Sequence, residues 1–184
     1  MLQFVTTNAD KVREARDYLD RPVERLDYDY AEIQSDSLAD IAAEGAREAR
    51  EAADGPVVVD DAGLFVAALD GFPGPYSSYV EDTLGIERVA DLALAETDRS
   101  AAFRAVVAYA DETGVETFAG AVEGRIVAPR GEGGFGYDPI FECDGRTFAE
   151  MSTAEKNAIS HRGRALAKFA DWLAAEPAER KGPR

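Results

Sequence analysis

Two adjacent carboxylates, Asp60 and Asp61, follow three valines in the segment VVVDDAGLF at 57–65. The valines favour a buried strand, in which neighbouring side chains point to opposite faces. A carboxylate can bind a divalent cation or take a proton from water, and a cation here would meet mainly one of the two. The alternative is a polar turn after a strand, because Asp and Gly are ordinary turn residues.

A second segment that could do chemistry is TTNADK at 6–11, where a predicted strand ends in hydroxyl side chains and runs into a helix. The free N–H groups of a helix start suit a phosphate oxygen. Lys11 lies early in this helix, where the helix dipole disfavours a cation by roughly 0.3 to 1 kcal/mol. A bound anion would reverse that effect. The alternative is a solvated lysine that pairs with Asp10 or Glu14.

The segment EKNAISHRGRA at 155–165 holds the densest group of basic side chains in the chain: Lys156, His161, Arg162 and Arg164. Ser160 is a typical helix cap, so His161 and Arg162 are predicted in a first turn, again the unfavourable end for cations. A lone histidine is more often a packing or surface residue than a ligand contact. Two helix starts with cations nevertheless indicate an anionic ligand near both.

A glycine-rich segment, GGFGYDPIF at 133–141, has the composition of a loop that binds a flat ring. Its glycines let the backbone approach a ligand, Phe135 or Tyr137 could stack on a ring, and Asp138 could accept an N–H. The alternative is a glycine-rich turn with two core aromatic residues. A ring-binding loop and a phosphate-binding segment together predict a nucleotide ligand.

Hydrophobic periodicity and turn residues predict alternating strands and helices first and antiparallel strands later. Strands are predicted over 2–6, 23–29, from 57, over 101–110 and 115–128, with a short strand after the glycine-rich loop. Helices are predicted after a cap at Asn8, over 38–53 after a cap at Ser37, and over 83–95 and 160–175.

Length and composition favour one soluble domain. With 184 residues, 46% of them hydrophobic, the chain is long enough for one sizeable core, so a single domain over 1–184 is expected, with a frayed tail from about 176. One cysteine permits no internal disulfide, and no basic leader or run of roughly 18 apolar residues is present. We therefore expect a cytoplasmic protein without a membrane span.

The charge balance argues against nucleic acid as a partner. A formal net charge of -16, from 36 acids against 20 bases, lacks the basic face that phosphate backbones require. Acidic, lysine-poor composition is typical of a halophilic, salt-rich cytoplasm, where the Debye length falls to about 3 Å at 1 M salt. The alternative is an ordinary acidic protein from a low-salt cell.

The four segments occur in the order that is typical of one enzyme family. TTNADK, VVVDDAGLFVAALDGFPGPYSSY, GGFGYDPIF and TFAEMSTAEKNAISHRGRA resemble the sequential motifs of the inosine triphosphate pyrophosphatase family, the Ham1-like enzymes of non-canonical purine nucleotides. The resemblance implies Mg²⁺-dependent hydrolysis of ITP, dITP or XTP to the monophosphate and pyrophosphate. It also implies an α/β fold with an elongated mixed sheet flanked by helices, two lobes with the active-site cleft between them, and a homodimer.

The resemblance also implies roles for particular residues. Glu32 matches a metal-binding acid, and Asp61 matches the proton acceptor that also contacts the metal. The triphosphate-binding segment is matched by Thr6, Thr7, Asn8 and Lys11, and the base-binding loop by Phe135, Gly136, Tyr137 and Asp138. The remaining nucleotide contacts are matched by Lys156, His161 and Arg162.

Three positions depart from the family pattern. Thr7 stands where many relatives have glycine, and Asp60 stands where glutamate is more usual. Ala62 replaces a usual serine, which leaves its backbone N–H as the predicted substrate contact.

Other classes remain open on the residues alone. A haloacid-dehalogenase-type phosphatase also places an aspartate after an apolar strand, but it needs a D-x-D pair that Asp60-Asp61-Ala62 lacks. A Maf-like pyrophosphatase shares the reaction type but is not expected to carry Ser-His-Arg at 160–162. A noncatalytic nucleotide sensor would bind ITP without turnover, and Glu32 and Asp61 would then be dispensable.

Overall fold

A computed structural model describes residues 1–6 and 8–175. Within them lie eight strands: β1 (Leu2–Val5), β2 (Val23–Leu26), β3 (Val57–Val66), β4 (Pro73–Gly74), β5 (Ser100–Asp111), β6 (Gly114–Ile126), β7 (Phe141–Cys143) and β8 (Arg146–Thr147). The same residues form six α-helices: α1 (Ala9–Tyr18), α2 (Leu38–Ala52), α3 (Ser77–Leu84), α4 (Ile86–Leu94), α5 (Thr153–Ile159) and α6 (His161–Ala175). The predicted frayed tail lies outside the described residues.

The strands form one mixed sheet in the order β2-β1-β3-β5-β6-β7-β8, with β4 paired to β3. β1 runs parallel to both β2 and β3, and Val5 stands opposite Val59. The later strands β6, β7 and β8 pair antiparallel. The predicted change from alternating elements to antiparallel strands, and the mixed α/β class, are confirmed.

The chain packs as two compact units, which we describe separately. Unit 1 contains residues 1–61 and 105–120 and the chain from 162 onward, and unit 2 contains residues 62–104 and 121–161. The prediction of a single domain over 1–184 stays a prediction.

The core of unit 1 follows the predicted helix faces. Val12, Ala15 and Leu19 are buried on one side of α1 and just after it, as their spacing predicts. Ser37 caps α2, since its side chain accepts from the backbone N–H of Asp40. Other strands and α6 also contribute to this core, which includes Leu2, Phe4, Val23, Val58, Val107, Tyr109, Leu166 and Phe169.

The core of unit 2 is built around aromatic side chains. Phe103 of β5 packs edge-on against Phe141 and stacks on Phe148, with ring centroids 4.7 and 5.7 Å away. Aliphatic side chains of β3, α3 and α4 complete it: Leu64, Val66, Val80 and Val89.

The structure corrects several predicted element bounds. Asp60 and Asp61 lie inside β3, which continues to Val66, so the alternative of a polar turn is wrong. The predicted strand over 23–29 ends at Leu26, because the chain leaves the sheet edge there. The helix predicted over 83–95 is two helices, interrupted at Gly85 with φ +85°.

Helix α5 was not predicted at all. It begins after Ser152, whose side chain accepts from the backbone of Glu155 while the Glu155 carboxylate accepts from the backbone of Ser152. This capping box is visible in the sequence as Ser-Thr-Ala-Glu and is a known helix-start signal. Ser160, predicted as the cap of the last helix, is the single residue between the end of α5 at Ile159 and the start of α6 at His161.

Within the described residues, no helix combines the length and the hydropathy that a membrane span requires.

Candidate functional site

Asp60 is the centre of a charge cluster in unit 1. Its side chain is almost completely buried, and Lys11 places its Nζ atom 2.8 Å from one carboxylate oxygen. Arg162 donates from Nε to the other oxygen at 2.6 Å. Lys11 lies in the first turn of α1 and Arg162 is the second residue of α6, so two helix starts converge on one strand residue.

The charges of this cluster compensate one another. Burial alone would raise the pKa of Asp60, but the neighbouring Lys11 and Arg162 charges and their hydrogen bonds outweigh it, so that pKa lies far below its usual range. Burial alone would lower the pKa of Arg162, whereas Asp60 and Glu14 raise it above its usual value. Glu14 of α1 accepts from Nη1 of Arg162 at 3.2 Å. Asp60 and Arg162 are therefore both held in their charged forms.

Asp60 also supplies, within the protein, an anion near both helix starts. The sequence pattern predicted that a bound ligand would supply this negative charge. The alternative was that Lys11 pairs with Asp10 or Glu14. Lys11 pairs with Asp60, and its side chain keeps 24% of its exposure. It is thus fixed in position by a carboxylate while part of its surface remains available to a second anion.

Asp61 has a different environment from Asp60, as strand alternation predicts. It is half-buried, and its charge acts on the phenol of Tyr30 in the segment between β2 and α2. Burial raises the pKa of Tyr30, and the carboxylates of Glu32, Asp61 and Asp60 raise it further. Glu32 and Asp61, the two predicted metal ligands, therefore lie near one tyrosine side chain.

Glu32 and Asp61 supply carboxylate oxygens, the ligand type that Mg²⁺ takes in proteins. No group of three or more His, Cys, Asp or Glu side chains in residues 1–6 and 8–175 is arranged to hold a metal. Mg²⁺, however, is usually bound by one or two carboxylates together with water and substrate phosphates. Asp60 does not fit such a role, because both of its oxygens already contact cations.

A second cluster, in unit 2, surrounds Phe135. The ring of Phe135 is 55% exposed, and the Lys156 ammonium lies 4.1 Å from its centroid. Lys156 also pairs with Asp138, and the same carboxylate accepts from the backbone N–H of Phe135 at 2.9 Å. Gly134 makes this possible, since it has φ +73° and a Cβ there would lie 2.2 Å from the Asp138 carboxylate. The loop thus presents an exposed aromatic ring with an ammonium group on it.

Tyr137 differs from Phe135 in its surroundings. Its ring is buried in the core of unit 2, and its hydroxyl donates to the Ser77 carbonyl at 2.8 Å. Burial raises the pKa of Tyr137, and the nearby Glu81 and Asp82 raise it further. Of the two aromatic residues proposed to stack on a ring, only Phe135 is exposed.

His161, the last residue of unit 2, packs in an aromatic stack. Its ring lies 4.9 Å from that of Phe103 at an interplanar angle of 10°. Phe103 also stacks on Phe148. His161 is 7% exposed. The stack fixes the plane of the imidazole, which is consistent with the packing role that a lone histidine most often has.

The model of the Ham1 family matches residues 2–172, which is nearly the whole chain. The chain belongs to the Ham1 family.

Relatives in this family are similar along their whole length. The "dITP/XTP pyrophosphatase" of Thermococcus kodakarensis is 51% identical over 178 residues, covering 94% of this chain and 96% of that protein. The protein of the same name from Methanopyrus kandleri is 52% identical, covering 92% and 94%. The Ham1 protein of Staphylococcus aureus superposes with a TM-score of 0.87 at 30% identity, over 96% of this chain and all of that one. The resemblance inferred from the motifs, and the fold class, are confirmed.

The remaining predicted residues of this Ham1 chain lie as follows. The Thr6 hydroxyl accepts from the backbone N–H of Asn8 at 3.0 Å, which shapes the turn before α1, and Thr7 between them lies outside the described residues. Ala62 is half-buried in β3 and Gly136 has φ +60°. Substrate contacts by these residues stay predictions.

Sequence reasoning missed three residues that lie in the clusters described above. Glu14 stands three residues after Lys11 on α1, a spacing that places both on one face, and it was considered only as a partner for Lys11. Tyr30 precedes the predicted ligand Glu32 by two residues, but nothing in its spacing indicates a role. Phe103 lies in a strand of mostly apolar residues, so its stacking on His161 is visible only in the structure.

Proposed function

We propose that the protein hydrolyses the non-canonical purine nucleoside triphosphates ITP, dITP and XTP to the monophosphate and pyrophosphate, and so cleanses the nucleotide pool. The observation that carries this proposal is the convergence of Lys11 and Arg162 on Asp60, beside Asp61 in the same strand. Relatives with about half of their residues identical are named for pyrophosphatase activity on dITP and XTP.

The proposed reaction is a hydrolysis at the alpha phosphorus. Asp61 takes a proton from a water whose oxygen attacks that phosphorus, and the bond between the alpha phosphorus and its bridging oxygen to the beta phosphate breaks. Pyrophosphate leaves with the bonding electrons. Lys11 and the free N–H groups at the start of α1 stabilise the charge on the leaving group, and such preorganised stabilisation is usually the largest contribution to the rate.

Mg²⁺ is the proposed cofactor, held by Glu32 and Asp61. When bound, it supplies positive charge that neutralises and orients the triphosphate oxygens. In a chain with net charge -16, repulsion between protein and substrate makes such neutralisation important. Asp60 has a separate role, because it fixes Lys11 and Arg162 instead of binding metal.

Base selection is proposed to depend on hydrogen-bond donors and on Phe135. Hypoxanthine and xanthine have an acceptor oxygen at position 6, whereas adenine has an amino donor there. Donors of the His161–Arg162 pair match the oxygen and oppose the amino group, and a mismatched buried donor costs about 1 to 3 kcal/mol, or roughly tenfold to hundredfold in selectivity. The exposed face of Phe135 is the proposed stacking surface for the purine.

The experiment that tests this function is product analysis with several nucleotides. The protein is incubated with ITP, dITP, XTP, ATP and GTP plus Mg²⁺ in high salt, and pyrophosphate and orthophosphate are quantified separately. We expect pyrophosphate from ITP, dITP and XTP, much less from ATP, and none after chelation of Mg²⁺. Guanine also has an oxygen at position 6, so the rate with GTP measures how strongly the pocket discriminates by the 2-amino group. Orthophosphate as the product would indicate a haloacid-dehalogenase-type phosphatase, and ITP binding without product would indicate a sensor. A preference for substrates outside this purine set would favour the Maf-like alternative.

A homodimer and a cytoplasmic location are also proposed. Three aromatic side chains, Phe72, Tyr76 and Tyr79, are exposed in the turn after β3 and at the start of α3. Exposed aromatic residues close together in sequence are typical of surfaces that a protein partner covers. Light scattering of the purified chain would test the dimer, and a monomer at micromolar concentration would contradict it.

A further inference from the structure

The segment between β2 and α2, which carries Glu32, has no regular secondary structure of its own. Residues 27–37 form neither a helix nor a strand, and Glu32 itself is exposed. An irregular segment loses more conformational entropy when it is ordered than one already fixed by regular hydrogen bonds. Something outside the segment must therefore keep the Glu32 backbone in place if that side chain binds a metal.

Glu48 of α2 makes two hydrogen bonds to this segment. One carboxylate oxygen accepts from the hydroxyl of Tyr28 at 3.3 Å, and the other accepts from the backbone N–H of Ala31, also at 3.3 Å. Ala31 is the residue directly before Glu32. Hydrogen bonds to an ionised carboxylate are stronger than those between neutral groups. A single side chain thus holds the segment at two points on the N-terminal side of Glu32.

Gly45 provides a third contact one helical turn before Glu48. Residues three apart lie on the same face of a helix, so Gly45 and Glu48 face the same segment. A Cβ atom at Gly45 would lie 2.5 Å from Cε2 of Tyr30, so the tyrosine ring rests directly on the helix backbone. The segment therefore packs in one orientation against the face of α2 that is formed by Gly45 and Glu48.

We propose that Glu48 is a positioning residue that holds the Ala31 backbone so that Glu32 is presented, together with Asp61, to the divalent cation. This inference rests on the proposed function, in which Glu32 is a metal ligand. Groups that orient a metal ligand typically change metal affinity by about 10-fold to 100-fold when they are removed. Glu48 touches neither substrate nor metal in this proposal and acts only through Glu32.

The test compares Glu48→Ala with Glu44→Ala as the matched control. Glu44 is a glutamate of the same helix, but it pairs with Arg47 in solvent. Binding of Mn²⁺ is measured by electron paramagnetic resonance with a non-hydrolysable ITP analogue present. We expect Glu48→Ala to weaken Mn²⁺ binding about tenfold, while Glu44→Ala matches the wild type. Glu48→Gln keeps one acceptor oxygen for the Ala31 N–H, so its affinity should lie between the wild type and Glu48→Ala.

A kinetic measurement separates positioning from a loss of folding. The Mg²⁺ concentration that gives half-maximal ITP hydrolysis should rise about tenfold in Glu48→Ala, while kcat at saturating Mg²⁺ stays near the wild-type value. A fall in Tm and kcat with unchanged affinity for the cation would mean a merely structural role and overturn the proposal. Equal Mn²⁺ affinity in Glu48→Ala and Glu44→Ala would also overturn it.

A third variant distinguishes this inference from the proposed function. Glu32→Gln removes a charged ligand oxygen, so it should weaken Mn²⁺ binding at least as much as Glu48→Ala does. If Glu32→Gln weakens binding and Glu48→Ala does not, only the positioning role is wrong. If Glu32→Gln has no effect, or the wild type binds no Mn²⁺, the metal-binding role of Glu32 fails and the positioning role fails with it.

Discussion

At the scale of single residues, Asp60 and Asp61 show how position gives identical side chains different chemistry. Asp60 points into unit 1 and contacts Lys11 and Arg162, so it stays ionised and fixes two cations. Asp61 lies on the other face of β3, half-buried near Tyr30. A group that is bound by two cations is a poor proton acceptor, so Asp61 is the better candidate for the base.

Asp61→Asn is expected to lose far more turnover than binding. The amide cannot accept a proton from water at neutral pH, yet it has nearly the same size as the carboxylate. We expect kcat for ITP to fall at least about 100-fold, the lower range for general-base catalysis, with Kd for a non-hydrolysable analogue changed much less. Steady-state kinetics and calorimetry check this. Near-normal turnover in the variant would remove Asp61 from the catalytic role.

Arg162→Ala is expected to erode the preference for ITP over ATP. If the arginine contributes a donor to the 6-oxygen, the kcat/KM ratio of the two substrates should fall roughly tenfold or more. The substitution also removes a partner of Asp60 and so destabilises the protein. The ratio of kcat/KM for ITP to that for ATP is therefore informative, whereas the absolute activity is not. An unchanged ratio would assign Arg162 to the charge cluster alone.

The depressed pKa of Asp60 predicts how the stability of the protein depends on pH. Because the pKa of Asp60 is depressed in the folded state, its stabilising contribution is fully present above its unfolded pKa of about 4 and is lost as pH falls below that value. Asp60→Asn should lower the free energy of unfolding at pH 7 by about 3 kcal/mol, since it leaves two cations without their anion.

Urea unfolding of the wild type and Asp60→Asn at pH 7 and pH 3 measures this difference. The difference in the free energy of unfolding should shrink toward pH 3, because the Asp60 carboxylate is then protonated in the unfolded state but still ionised in the folded state. Asp27→Asn is the control, because Asp27 forms an exposed pair with Arg25 and should change stability little. A difference that grows toward acid pH would contradict the assignment.

At the scale of elements, short irregular segments present the proposed ligand contacts, and helices and strands hold these segments. The glycine-rich loop is held by Asp138, which accepts from the Phe135 N–H and pairs with Lys156 of α5. The segment that carries Glu32 is held by α2. Helix α5 was missed although its capping box is present in the sequence, because its seven residues are too short for a clear apolar periodicity.

Gly134→Ala is expected to disturb the base-binding loop. The new Cβ would lie 2.2 Å from the Asp138 carboxylate, so the hydrogen bond to Phe135 and the pairing with Lys156 cannot both persist. We expect KM for ITP to rise about tenfold, with a smaller change in kcat, because one or two binding contacts are lost.

Gly145→Ala is the matched control for this variant. Gly145 also has a positive φ, +83°, but a Cβ there would meet nothing within 4 Å. Both variants carry the same backbone strain, so only the clash differs between them. If both change KM equally, backbone strain is the cause and the contact of Gly134 with Asp138 is not.

At the scale of the whole molecule, the net charge of -16 determines how the protein responds to salt. Self-repulsion among acidic side chains destabilises the compact state and is screened at high ionic strength. We expect Tm to rise by several degrees between 0.1 M and 2 M KCl, measured by differential scanning calorimetry; about 1 kcal/mol gives roughly 2 to 4 °C in a chain of this size. Equal Tm values at the two concentrations would contradict the salt-rich origin that composition favours.

The sequence alone determined most of the longer strands and helices, the buried faces of α1 and α2 and the four motifs of the Ham1 family. These features depend on neighbouring residues, whose spacing follows the periods of helix and strand. Only the tertiary structure decided that Lys11 and Arg162 share Asp60, which is separated from Arg162 by 102 positions. It also decided that Tyr137 is a core residue and that Glu48 holds the segment before Glu32. Such contacts form between distant segments, so no local pattern of residues specifies them.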